Sequence, residues 1–272
     1  MKIQELYRNL EPVQPELHTF VTRSGEAATE QSMVLTEHLM DVYINERLTM
    51  KLVCTPQHLT ELVLGRLLSE GVIRSTADVA LIYICESGRR AKVMLTEAVA
   101  AQHPDFVAPT PTCCTGNRIL NGDYIQHGEL TPVTPIDWTP EQIFALADQF
   151  NEDTPLHRLT GATHSCFLAR GNELLFSCED IGRHNALDKA IGFALRHDIN
   201  LTGCITYSSG RLPTDMVEKA IRAGLPVLCT KASPTAEAVA LAQSCGLTLI
   251  GCARPQHLRQ YTVPTKLTQK ES

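Results

Sequence analysis

The sequence lacks an excess of positive charge, a long apolar run and any cysteine pair at metal-binding spacing. Its formal net charge is -6, so no global positive field draws phosphate backbones in, and a generally nucleic-acid-coating protein is excluded. A local basic pocket for one nucleotide-like ligand is still allowed. No stretch approaches the roughly 18 apolar residues of a membrane span. The opening MKIQELYRNLEPVQPELHTF has no apolar core of signal-peptide type. The expected location is therefore the cytoplasm, with no membrane or nucleic-acid partner. No two cysteines stand in the C-x2-C arrangement of zinc sites, and no metal site is expected.

What is present is an ordinary globular composition with an unusual amount of thiol. The 272 residues, 43% hydrophobic and 20% charged, support one large domain or two modest ones with a substantial core. Ten cysteines in a reducing compartment should be mostly thiols, and their contexts sort them. Cys54, Cys85, Cys166, Cys178, Cys204, Cys229 and Cys252 lie in or beside apolar strand-like runs, where a free cysteine behaves as a small buried hydrophobe. Cys245 ends a helical pattern before Gly246. Cys113 and Cys114 differ: they sit in PTPTCCTGNR, where Pro109 and Pro111 rigidify the approach and Gly116 and Asn117 favour a turn. A vicinal pair makes a strained disulfide. What remains is an accessible nucleophilic thiol, with Arg118 near enough to favour thiolate. The alternative is a loop whose cysteines are incidental.

The spacing of apolar residues predicts the following order. Residues 1–30 are an arm or edge strand. Residues 32–54 form two strands, and a helix opens at Pro56 and runs to Glu70 with Gly71 after it. A hairpin covers residues 79–95, and residues 96–135, rich in Pro, Thr and Gly, have no regular period. A helix over 139–150 begins with the capping-box pair Thr139 and Gln142. A second hairpin spans 163–178. Then SCEDIGRHNALDKAIG, residues 177–192, reads as strand end, turn and helix start, with Asp180 as N-cap. His184 and Asp188 share one helix face, and Asn185 and Lys189 another. This places an acid, a base and a cation at a strand-to-helix junction, where α/β proteins bind ligands. The bland alternative is a capped helix with a solvated polar face. After it come strand 204–207, helix 213–223, strand 226–230, a helix capped by Ser233 with Pro234 first, strand 247–252 and a loop at 253–255. The fold class is thus α/β, or α+β overall, with arm 1–30, an N-terminal α+β domain 31–135 and a three-layer domain 136–272. Polar loops at three strand ends bring Ser208, Ser209 and Ser233 with Arg183, Arg211, Lys231 and Arg254 to one rim suited to phosphate.

EDIGRHNALDKAIG, with LTGATH before it, SSGRLPTDMVEKA, SPTAEAVALA and LTLIGCAR after it, and LLSEGVI at residues 67–73, closely resembles the FdhD/NarQ family of formate dehydrogenase accessory proteins. The resemblance implies a sulfur carrier that accepts persulfide sulfur from a cysteine desulfurase. It would deliver that sulfur to the molybdenum cofactor, bis-molybdopterin guanine dinucleotide, before insertion into formate dehydrogenase or a related molybdoenzyme. It also implies a cytidine-deaminase-like second half, a homodimer and a pocket for a guanine nucleotide such as GDP or GTP. Carried over by position, the persulfide-bearing cysteine falls at Cys113 or Cys114; the family's better-known loop has C-x-x-C, where this chain has an adjacent pair. The cofactor-contacting loop falls at Cys252, Ala253, Arg254, Pro255, Gln256 and His257, with Gln256 and His257 replacing the family's usual Gly and Arg. Arg183, His184, Ser208, Ser209, Arg211 and Ser233 complete the expected cofactor rim. Two rivals stand beside this reading. A zinc deaminase needs H-x-E and P-C-x-x-C motifs, which the chain lacks. A redox-sensing or scaffold protein would bind the cofactor without moving sulfur.

Overall fold

The computed structural model describes residues 1–100, 110–111, 118–119, 129–152 and 154–262. Its strands are β1 (Lys2–Glu5), β2 (Val13–Val21), β3 (Ala27–Leu35), β4 (His38–Ile44), β5 (Arg47–Cys54), β6 (Val79–Ile84), β7 (Arg90–Leu95), β8 (Thr110–Pro111), β9 (Arg118–Ile119), β10 (His164–Arg170), β11 (Glu173–Asp180), β12 (Ile205–Ser208), β13 (Val227–Thr230), β14 (Thr248–Arg254) and β15 (His257–Gln260). Its helices are α1 (Leu59–Ser69), α2 (Glu97–Ala100), α3 (Pro140–Glu152), α4 (Pro155–Thr160), α5 (Arg183–Arg196), α6 (Thr214–Arg222) and α7 (Ala236–Ser244).

Among the described residues the strands form three sheets. The first runs β1-β6-β7-β4-β5-β9-β8, the second β11-β10-β12-β13-β14-β15, and the third is the β2-β3 hairpin. In the first sheet every second residue points inward, as the period of a strand dictates: Met40, Val42 and Ile44 of β4, and Ala91, Val93 and Leu95 of β7, are buried. The central strands of the second sheet, β12 and β13, are buried along their whole length. This follows from helices on both faces. Ile143, Leu146, Ala147 and Phe150 of α3 cover one face against Phe167, Tyr207 and Ile250. Helices α5, α6 and α7 cover the other. Strands β12, β13 and β14 are parallel to one another, while β10, β11 and β15 are antiparallel additions. The predicted mixed, three-layered α/β arrangement is therefore what the second sheet adopts.

Helix α1 joins the sheets, lying under the first and packing along α5. A Cβ on Gly65 would fall 1.7 Å from the Asp188 carbonyl oxygen, and one on Gly192 would fall 1.8 Å from that of Glu61. The two backbones approach so closely that only glycine fits at the crossing. Every residue of α1 is buried, so its polar members need partners inside the protein.

Several boundaries differ from the periodicity. Helix α1 starts at Leu59, not Pro56, because His58 takes a left-handed backbone with φ 54° and breaks the turn. The run 32–44 is two strands, not one: Thr36 donates its amide to the Pro12 carbonyl at 2.8 Å, so the chain passes there from the β2–β3 hairpin to the first sheet. Helix α7 starts at Ala236 with Thr235 as its cap, not with Ser233 and Pro234. Pro234 instead bridges to Leu212. Helix α4 and strand β15 had no clear period, and β14 continues to Arg254 where a loop was expected.

Candidate functional site

Strand β11 ends in Glu179 and Asp180, and both carboxylates turn inward. Asp180 is fully buried. Its Oδ1 accepts from the Gly182 amide at 2.9 Å and from Asn185 Nδ2 at 2.8 Å. Its Oδ2 accepts from the Thr55 amide and lies 2.6 Å from the Lys189 ammonium. Lys189 also donates to Thr55 Oγ1 at 2.7 Å. Asp180 is therefore not the N-cap that was expected: Gly182 holds that position without a side-chain bond. A buried lysine and carboxylate are tolerated because each is paired and hydrogen-bonded. Glu179 accepts from the Leu156 and His157 amides at 2.8 and 2.7 Å and from the Thr163 hydroxyl at 2.8 Å. It thereby caps the free donors at the start of α4, a short helix that needs such an anchor.

One residue earlier than Lys189, Asp188 faces the other side of α5. It accepts from Ser69 Oγ at 2.7 Å and from Lys219 of α6, and it pairs with Arg66 of α1 at 3.4 Å. Glu70 completes the group by pairing with Arg66 at 2.9 Å and Lys219 at 3.3 Å. The LLSEGVI and EDIGRHNALDK stretches, far apart in sequence, thus meet in one balanced ionic cluster. Neither Asp188 nor Lys189 belongs to a solvated face, and they pair with other residues, not with each other.

The rest of the candidate site lies at the ends of the parallel strands. A cavity of about 420 Å³ opens there, lined by His157 and Arg158 of α4, His164 and Ser165 of β10, Ile181, Ser209 beyond β12 and Lys231 beyond β13, with Phe150 and Thr163 on its wall. The His164 ring bonds Ser209 Oγ through Nδ1 at 3.1 Å, and that oxygen also accepts from the Ser165 amide at 3.0 Å. Burial pulls the His164 imidazole below its ordinary pKa, and the charges of Arg183, His157 and His184 pull it further.

The other predicted rim residues divide by role. His184 bonds Asp215 at 2.8 Å, Nε2 to Oδ2. Burial alone would raise the Asp215 carboxyl, but the bond and charge of His184 outweigh it and hold the group low. Arg183 packs over Gly210, where a Cβ would lie 2.7 Å from its own. Ser208 Oγ accepts from the Gly210 amide, closing the loop, and Arg211 is exposed. Residues 252–257 form the bulged end of β14, a turn and the start of β15. The Ala253 carbonyl accepts from Tyr207 OH at 2.8 Å. Arg254 donates to the Ala253 and Lys231 carbonyls and so pins that corner. Pro255 is half-buried, whereas Gln256 and His257 project into solvent.

Cys252 takes a left-handed backbone with φ 50° and is half-buried, not core as expected; Cys85 is likewise half-buried. The Ser233 hydroxyl 3.2 Å from Cys252 Sγ lowers the thiol's pKa, with Tyr261, Arg259 and Arg254 assisting. Burial pushes the Cys178 thiol up to about 12 and Cys54, Cys166 and Cys229 upward as well. Cys113 and Cys114 lie outside the described residues. Among the described residues no group of three or more His, Cys, Asp or Glu side chains is placed to hold a metal ion, and no helix is long and apolar enough to cross a membrane.

The model of the FdhD/NarQ family matches residues 35–268. The chain belongs to that family. It is 32% identical over 241 residues to a protein of Halalkalibacterium halodurans named sulfur carrier protein FdhD, covering 87% of this chain and 89% of that one. It is 30% identical over 246 residues to the Bacillus subtilis protein of the same name, covering 90% and 94%. A solved structure from Desulfotalea psychrophila, described as that of a candidate formate dehydrogenase accessory protein, superposes with a TM-score of 0.77 at 24% identity. It covers 94% of this chain and 99% of that one, and so shares the fold. The FdhD/NarQ resemblance read from EDIGRHNALDK thus holds. The residues sequence reasoning passed over are His157 and Arg158. Their signal was Pro155, which starts α4, close after a helix that had already been assigned.

Proposed function

We propose that this protein is a sulfur carrier serving a formate dehydrogenase or a related molybdoenzyme. The Cys113 or Cys114 thiolate attacks the terminal sulfur of a cysteine desulfurase persulfide; a new S–S bond forms, the old one breaks and the desulfurase thiolate leaves, with no net redox change. The loaded sulfur then passes to the molybdenum cofactor, bis-molybdopterin guanine dinucleotide, which is substrate here. A homodimer working in the cytoplasm is part of the same reading.

The observation that carries the proposal is the match, over nearly the whole chain, to relatives named as sulfur carriers. The site supports it: a cavity at the C-terminal ends of parallel strands, lined by His157, Arg158, His164 and Lys231 and, among the described residues, by no carboxylate, suits a polyanionic ligand in an acidic protein. The buried charges of the motif hold the frame, while Ser209 lines the opening.

The test is mass spectrometry of the purified chain after incubation with a cysteine desulfurase and cysteine. The expected result is one added sulfur on the peptide carrying Cys113 and Cys114. Replacing both with Ala should abolish the adduct and leave the dehydrogenase inactive though loaded with metal and pterin. Full dehydrogenase activity with the double variant would favour a scaffold that binds cofactor without moving sulfur.

A further inference from the structure

We propose that the β2–β3 ribbon is a docking arm for the oxidoreductase this carrier serves, and that one face of the ribbon grips an apolar, uncharged surface of that enzyme. The inference rests on the preceding reading for the identity of the partner.

The ribbon consists of two nine-residue strands that pair only with each other. β2 is exposed from Gln14 to Val21 and β3 from Ala27 to Ser32. A lone pair of strands is marginal in water unless something covers a face.

The two faces differ in kind. Directly opposed residues share a face, and successive pairs alternate between faces. The alternate pairs running from Val13–Leu35 through Leu17–Gln31 to Val21–Ala27 contain no charged residue. The opposite face mixes Phe20 with Glu16, His18 and Glu30, and the last two lie 3.8 Å apart. On the uncharged face Leu17 and Val21 are 71% and 60% exposed. Exposed apolar residues in a charge-depleted patch mark a contact with protein. Such a patch has no cation to offer the phosphates of nucleic acid or lipid.

The contact is through the face, not the edge. Thr22 donates its amide to the Glu26 carbonyl at 2.9 Å, and Thr36 donates to that of Pro12 at 2.8 Å. Even-numbered residues of β2 therefore hold the ladder to β3, and odd-numbered ones turn their backbone groups outward. Pro15 is one of these and has no N–H to give a further strand.

Position selects the occupant. β3 runs beside α4, whose His157 and Arg158 line the cavity, and Leu159 of α4 is 51% exposed. A protein held on the ribbon stands next to that cavity, as an enzyme receiving the cofactor must. A second copy of the chain is the rival occupant. The homodimer implied by the family resemblance would use surface common to the family, and the family match begins at residue 35, the last residue of β3. The ribbon precedes it, which favours a contact particular to the enzyme served.

The experiment uses the full chain and a formate dehydrogenase free of metal and cofactor. Amide hydrogen exchange of the unmodified chain should slow over residues 13–35 when the enzyme is added. Leu17→Asp combined with Val21→Asp should weaken the complex about tenfold or more, whereas His18→Ala on the opposite face should alter it by less than about twofold. The double variant should keep the parent's mass in light scattering and its sulfur loading on Cys113 and Cys114, which establishes a folded carrier. Unslowed exchange over residues 13–35, or an affinity untouched by the double substitution, overturns the proposal. A fall of the variant to half the parent's mass also overturns it, by assigning the face to a second copy. Absent sulfur loading in the parent chain counts against the sulfur-carrier reading and leaves the exchange measurement standing.

Discussion

Asp188 of α5 and Lys219 of α6 meet in the core, the ammonium donating to both carboxylate oxygens at 3.0 and 3.1 Å. Through Ser69, Glu70 and Arg66 the same pair holds α1. Removing one partner would strand the other charges without water. Asp188→Ala should therefore cost about 3–5 kcal/mol, seen as a lowered denaturant midpoint, whereas an exposed pair such as Lys92 with Glu46 should contribute roughly 1 kcal/mol or less on removal of Glu46.

The crossing of α1 and α5 allows no side chain at Gly65 or Gly192. Alanine at either position must push the helices apart, at a cost of about 1–3 kcal/mol or more. If Gly65→Ala unfolds at the same denaturant concentration as the parent, the close approach is not real.

Glu179 bears on α4 alone. Glu179→Gln would set an amide donor against the Leu156 or His157 amide, and the expected loss is about 1–3 kcal/mol. Amide hydrogen exchange should accelerate over residues 155–160 before it does so in β12 or β13; uniform protection would contradict the capping role.

Asp215 gives a pH dependence. Its folded-state pKa lies below the unfolded value because of His184, so its stabilising contribution is complete above the ordinary carboxylate range. It is lost as pH falls through the folded value. Asp215→Asn should lower stability in the neutral region and flatten the fall below about pH 4, where variant and parent converge.

Thiol reactivity should follow environment. In a Cys113→Ala/Cys114→Ala background, iodoacetamide should label Cys85 and Cys252, which are half-buried with lowered pKa values, well before Cys54, Cys166, Cys178 or Cys229. Peptide mapping of a short reaction decides this.

How far the sequence was legible depended on where the deciding forces act. Strands β4 to β7 and β10 to β14 and the capping box at Thr139 and Gln142, observed at 3.0 and 3.4 Å, follow from local periodicity and local hydrogen bonds. The EDIGRHNALDK stretch was also visible, but its chemistry was not. Glu179, Asp180, Asp188 and Lys189 read as candidates for a polar junction because their partners, Thr55, Arg66, Ser69 and Lys219, lie on distant elements. Asp180 looked like a cap for the same reason: nothing nearby announces a buried lysine. Gly65 and Gly192, each inside a helical pattern, were the available clue that two helices touch backbone to backbone. The His164–Ser209 contact depends on the ends of two strands meeting, which no spacing within either strand reveals.

The shared spine of α1 and α5 has a consequence for how the molecule fails. Because each sheet rests on one of these two helices and the glycines lock them together, neither half retains a complete interior if the other melts. Heating should yield a single calorimetric peak whose van't Hoff and measured enthalpies agree, and a fragment ending before residue 136 should behave as a sticky, poorly ordered chain.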